Sequence, residues 1–90
     1  MSIKIGMPSY LQSFTNGLEV VKVKGSTVSG CLNHLVKQFP GMGKMLFAKK
    51  GKLLGYVAIY VNGEDAYPEE LAKPVKDGDE LRILYIIGGG

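Results

Sequence analysis

The period of the apolar residues changes along this 90-residue chain, and that change restricts the fold more than any other feature. Val28, Cys31, Leu32, Leu35, Val36 and Phe39 recur at i, i+3, i+4, i+7, i+8 and i+11. The spacing gathers them on one face of a helix, with Ser26 or Thr27 placed to cap its first turn and Pro40-Gly41 to stop it. On either side the period is two. Ile3, Ile5 and Met7 alternate with Ser2, Lys4 and Gly6, Val21 and Val23 with Lys22 and Lys24, and Val57, Ile59 and Val61 share one side of a run closed by Asn62-Gly63. Each is the pattern of a strand with one buried face. A helix with one apolar stripe and strands with one apolar face bury those surfaces by packing on each other.

The alternation places strands at about 2–7, 18–24, 56–61 and 80–87, a short returning strand at 64–67 and a helical turn within 68–72. In the last strand Leu81, Ile83 and Tyr85 face one way and Arg82, Leu84 and Ile86 the other. The first two strands form an opening hairpin with a long connection, while 42–55 reads as an irregular loop holding one helical turn near Lys44–Phe47. Because the first and last strands bracket the chain, the expected arrangement sets them side by side and parallel at the centre of a mixed sheet. The fold class is therefore α+β, a β-grasp sheet packed on one main helix, spanning 1–87. Residues 88–90 are all glycine and are expected to form a flexible tail, since glycine has no side chain to pack and loses the most entropy on ordering.

A hydrophobic content of 46% supports one core in one domain. Cys31 is the only cysteine, and Pro8, Ser9 and Gln12 interrupt any apolar leader, so a reducing cytoplasmic setting is expected. The longest mostly apolar stretch, Leu53–Val61, falls short of the roughly 18 residues of a membrane span. A net charge of +3 is spread over scattered lysines and forms no basic stripe with Tyr10, Tyr56, Tyr60 and Tyr85, which argues against a nucleic-acid partner. The Gly43-Lys44 pair fails the phosphate-loop pattern, with Gln38 where its first glycine belongs and Met45 after the lysine. One histidine, His34, supplies no zinc set. Cys31 sits on the buried stripe, and the pairs Glu64-Asp65 and Glu69-Glu70 lie in turns where charge is solvated. No catalytic, metal or cofactor site is expected, which leaves Leu84-Tyr85-Ile86-Ile87-Gly88-Gly89-Gly90 as the unusual feature.

Ser26-Thr27-Val28, "HLVKQFPGM" at 34–42, "IYVNGED" at 59–65, "VKDGDELRIL" at 75–84 and the closing Gly89-Gly90 together resemble the ThiS/MoaD family of ubiquitin-like sulfur carriers. The carriers of cysteine biosynthesis look especially similar, through "FAKKGKLLGYVAIYVNGED" and "IKIGMPSYLQSFTNG". Many relatives carry proline and alanine before the tail, whereas this chain has Tyr85-Ile86-Ile87 and Gly88. The resemblance implies that the Gly90 carboxylate is adenylated by a ubiquitin-activating-like partner and converted to a thiocarboxylate. That partner uses ATP, and the chain keeps no permanent cofactor. A sulfur-accepting synthase then takes the sulfur toward cysteine, molybdopterin or thiamine. The alternative it implies is a protein modifier joined through Gly90 to target lysines. Gly88 and Gly89 complete an arm that can extend roughly 10 Å. Arg82, Leu84 and Ile86, just before the arm, are the candidate docking residues. A competing expectation is that Leu84 and Ile86 are covered by the 8–17 connection or the 42–55 loop.

Overall fold

The order of elements in the computed structural model, which describes residues 2–48 and 51–85, is β1 (Ile3–Gly6), β2 (Val20–Val23), α1 (Val28–Gln38), α2 (Gly43–Leu46), β3 (Val57–Val61), β4 (Glu64–Asp65) and β5 (Glu80–Tyr85). The sheet runs β2-β1-β5-β3-β4. Its central pair, β1 and β5, is parallel, and every other pair is antiparallel. The expected β-grasp is thus present, with the first four strands one to three residues shorter than the alternation suggested. Ile86 and Ile87, which the alternation counted in the last strand, lie outside the described residues, as do Gly88, Gly89 and Gly90.

Helix α1 starts where it should. Thr27 is extended and its Oγ1 accepts a hydrogen bond from the Gly30 N–H at 3.1 Å, satisfying one of the unpaired donors of the first turn. Val28, Cys31, Leu32 and Leu35 are fully buried against Ile3, Ile5, Val23, Val57, Ile59, Val61, Leu81 and Ile83. Each such aliphatic side chain contributes about 1.5–3 kcal/mol by leaving water. Val36 and Phe39, counted in the same stripe, are only half-buried. Phe39 caps the helix at φ −133° and ψ 83°, so it has left the helical register that the stripe assumed. Gly25 allows the approach to this helix to be tight, because a Cβ there would meet the Cys31 N at 2.7 Å and Sγ at 2.9 Å.

One connection holds more structure than its sequence suggested, and a second holds the helical turn expected of it. The long connection in the first hairpin is a 3-10 helix, Ser9–Thr15, that buries Leu11 and Thr15. The Thr15 hydroxyl donates to a backbone carbonyl, with Leu18 O at 2.9 Å, and so enters the core satisfied. The helical turn expected near Lys44–Phe47 is α2, one residue earlier, preceded by a turn at Pro40–Met42, and the stretch buries Met42 and Leu46. Phe47 then bridges Leu53.

The outer edge of β2 is partly closed by α1. Odd-numbered residues of β2 face their β1 partners, as the bond from Met7 N to Glu19 O also shows, so Lys22 and Lys24 direct their backbone groups outward. Gln38 Nε2 donates to Lys22 O at 3.1 Å, and Lys24 N–H donates to His34 Nδ1 at 2.7 Å. Two helix side chains one turn apart thus occupy positions that a neighbouring strand would use.

The motifs Asn62-Gly63 and Asp77-Gly78-Asp79 form one joint. Asn62 and Gly63 adopt φ 51° and 86°, the left-handed pair of a tight hairpin turn. The Asn62 amide donates to Asp79 Oδ1 at 3.0 Å, its Oδ1 accepts from Glu80 N–H at 2.9 Å, and Asp79 Oδ2 accepts from Lys76 N–H at 2.9 Å. These bonds hold the start of β5 in register with β3. The Asn62 amide first, then the Lys76 N–H, hold the Asp79 carboxyl below the usual carboxylate range. As pH falls, the unfolded chain therefore takes up this proton before the folded one does. The contribution of Asp79 is complete above the unfolded pKa of about 3.9 and is lost as pH drops through the lower folded value. Thermal midpoints measured from pH 7 to pH 2 should fall more steeply below pH 4 for the wild type than for Asp79→Asn. Parallel curves would show that the joint carries no pH dependence.

Candidate functional site

The face of the sheet turned away from α1 carries the alternate residues of each strand. Register sets Gly6 beside Arg82, Tyr60 across from Arg82 and Ala58 across from Leu84. Gly6, Tyr60, Arg82 and Leu84, together with Lys4, Val20 and Lys22, line a shallow depression of about 660 Å³. Gly6 leaves room for the Arg82 side chain, since a Cβ at Gly6 would stand 3.8 Å from its guanidinium. Val20 is 50% exposed, Leu84 is half-buried and Arg82 is exposed. Three cations and one carboxylate, Glu80, surround this apolar strip, so the face can take an apolar partner surface rimmed with acidic groups.

Of the candidate docking residues, Arg82 and Leu84 come together on this face, and Ile86 lies outside the described residues. Among the described residues, none that lines the depression comes from the 8–17 connection or from 42–55. Gly6, Val20 and Tyr60 were not singled out from the sequence. Their signal is the same parity as that of Arg82 and Leu84, readable only once strand order and register are known.

At the end of β5 three aromatic rings meet on the other side of the strand. Tyr10 and Tyr85 have ring centroids 3.8 Å apart, and Tyr56 meets Tyr85 edge-on at 4.9 Å. Aromatic pairs of this kind are worth about 0.5–1.5 kcal/mol beyond the area they bury. Burial pushes the Tyr10 hydroxyl above its ordinary range, with Tyr85 adding to the shift. Tyr85 is raised as well, by burial and then by Tyr56. Tyr10 and Tyr85 therefore remain neutral phenols at physiological pH.

The other chemical candidates have structural roles. Cys31 is fully buried, and burial followed by the nearby Asp79 charge pushes its thiol up, away from the nucleophilic thiolate. In the Gly41-Met42-Gly43-Lys44 segment, Gly41 and Met42 form the turn before α2, with Gly41 close to Phe14, and Gly43 and Lys44 begin α2 itself. Among the described residues no three His, Cys, Asp or Glu side chains gather at metal-binding range, and no helix is long and apolar enough to cross a membrane.

Known proteins share both the sequence and this geometry. The sequence pattern of the ThiS family matches residues 8–90. Sulfur carrier protein CysO of Mycobacterium tuberculosis is 32% identical over 93 residues, covering 100% of either chain. A chain of the Amycolatopsis orientalis BexX/CysO complex superposes with a TM-score of 0.89 at 32% identity, covering 98% of this chain and 99% of that one. Small archaeal modifier protein 1 of Methanosarcina acetivorans superposes with a TM-score of 0.86 at 26% identity, over 99% and 96% of the two chains. A family pattern matched from Pro8 to Gly90, relatives similar along their whole length and a shared β-grasp lead to one conclusion: the chain belongs to the ThiS family.

Proposed function

We propose that this protein is a sulfur carrier that works through the carboxylate of Gly90, with its outer sheet face as the handle by which partners hold it. The observation that carries the reading is the course of β5. This central strand passes under an open, cation-rimmed apolar face and leads, within five residues of Tyr85, to Gly88-Gly89-Gly90. The full-length similarity to sulfur carrier protein CysO supports it.

A carboxylate is a poor electrophile and must be activated first. An adenylating partner joins the Gly90 carboxylate to the α-phosphate of ATP and releases pyrophosphate. A sulfide donor then attacks the acyl carbon, the C–S bond forms, the C–O bond to phosphate breaks and AMP leaves. The product is a thiocarboxylate, from which a synthase takes the sulfur. ATP belongs to the activating partner, and the carrier supplies docking and delivery without a catalytic residue of its own. Among cysteine, molybdopterin and thiamine as end products, we favour cysteine, because the sequence is similar along its whole length to sulfur carrier protein CysO. A second reading, conjugation of Gly90 to target lysines, is favoured by the likeness to small archaeal modifier protein 1.

Incubation with the cognate activating enzyme, ATP and sulfide, followed by intact mass spectrometry, tests the carrier reading directly. One oxygen should be replaced by sulfur, and the modified chain should return to its free carboxylate mass when a synthase and its acceptor are added. Attachment to larger proteins in cell extract would favour the modifier reading, and no modification at all would reject both. The handle has its own test. Leu84→Asp should raise the Kd for the activating enzyme about tenfold or more while shifting the melting temperature only a few degrees, because Leu84 is half-buried on the outer face. A stability loss that outruns the loss of binding would make Leu84 a packing residue.

A further inference from the structure

The pairing of β5 is uneven at its far end. On one side β3 pairs with it as far as Tyr85, through Val57. On the other side the pairing with β1 runs out at Arg82, opposite Gly6. Beyond Gly6 the chain passes through Met7 and Pro8 into the 3-10 helix Ser9–Thr15, and from there Tyr10 places its ring against Tyr85, centroids 3.8 Å apart at 41°. Tyr56 meets the same ring edge-on, at 82°. A side-chain contact thus replaces the missing strand at the last described residue before the tail. The Tyr10 hydroxyl is buried and has no hydrogen-bond partner among the described residues, so the contact is made by the ring.

We infer that Tyr10 is a positioning residue for activation of the tail: by holding Tyr85, the residue from which Ile86–Gly90 follow in sequence, it limits how far and where the Gly90 carboxylate can be presented. The role rests on the carrier reading. From Tyr85, the five residues Ile86–Gly90 can extend about 17 Å. If Tyr85 lets go, the nearest held residue is Leu84, opposite Ala58, the maximum reach to Gly90 grows by about 3.5 Å, and more conformational freedom must be lost to bring the carboxylate to ATP. Misplacement of a reacting atom by about 1 Å can cost up to 100-fold in rate. The docking face is held by other pairings, so binding is spared.

The test is steady-state adenylation of the full-length chain, followed by pyrophosphate release, for wild type, Tyr10→Phe, Tyr10→Leu and Tyr10→Ala. Amide exchange at Leu84 and Tyr85 is measured on the same samples. Tyr10→Phe should match the wild type. Tyr10→Leu and Tyr10→Ala should lose about tenfold or more in kcat, with KM within about twofold and faster exchange at Tyr85. Tyr10→Leu keeps apolar volume at the site and serves if the alanine variant does not fold. Unchanged kcat in the leucine variant, or damage in the phenylalanine variant equal to that in alanine, would overturn the role. A fall in kcat no larger than the fall in folded fraction would also overturn it. A wild-type chain that no cognate enzyme adenylates overturns the carrier reading and this role with it, whereas an active wild type with an indifferent Tyr10→Leu overturns the role alone.

Discussion

Deletion of Gly90 is expected to abolish thiocarboxylate formation while moving the melting temperature by no more than about 2 °C. The two halves of the result have separate physical causes. Glycine has no side chain, so its removal takes away no packed surface. The shortened chain still ends in a glycine carboxylate, that of Gly89, so the chemistry of the terminal group is unchanged and only the reach differs, by about 3.5 Å. An in-line displacement at phosphorus has little tolerance for such an error, since the reacting oxygen must approach to about 3–3.5 Å before the step begins. Gly90→Ala is the complementary change, because it keeps the length and adds a methyl group to the arm. Intact mass spectrometry separates the outcomes: sulfur in place of oxygen on the full-length chain, and no change on the truncated one. If the truncated chain loads sulfur as well as the full-length chain does, Gly90 is not the required acceptor and the delivery-arm reading fails.

The sequence disclosed most where structure is set by neighbours in the chain. The α1 stripe, the alternation in β1, β3 and β5 and the Asn62-Gly63 turn are local patterns, and all are present. Central, parallel placement of the first and last strands followed from element order, and β1 and β5 do pair in parallel. The 9–15 helix was missed because its inward residues, Tyr10, Leu11, Phe14 and Thr15, fall within the short span 10–15 and include a polar threonine, too little to define a period. Helix α2, a single turn, was expected near Lys44–Phe47 and is present one residue earlier. The contacts that organise the site are between residues distant in sequence: Tyr10 with Tyr85, Asn62 with Asp79, Gly6 with Arg82. Strand parity put Arg82 and Leu84 on one face, but Tyr60 and Val20 join them only through the register of β3 and β2. Two motifs that carried the family resemblance, "IYVNGED" and "VKDGDELRIL", prove to be the two sides of the Asn62–Asp79 joint. The tail was legible as composition alone, and Gly88, Gly89 and Gly90 lie outside the described residues.

Leu35→Ala should destabilise the body by about 2–5 kcal/mol, lowering the melting temperature by about 10 °C or more. Leu35 is fully buried on α1 against the sheet, and removing most of its side chain forfeits its transfer from water and leaves a cavity that the sheet cannot close completely. A domain of 90 residues has a total stability on the order of 5–13 kcal/mol, so the loss is a large share of it. An unchanged melting temperature would mean that α1 does not pack through Leu35. The same variant also separates fold from chemistry. Leu35 does not line the outer face, and its neighbours are the core residues behind the sheet. Below its new midpoint the folded fraction should therefore dock and load sulfur at the wild-type rate, and activity corrected for that fraction should match the wild type. If loading falls while the protein remains folded, the core governs delivery as well as stability, and the division between a passive body and a working tail is wrong.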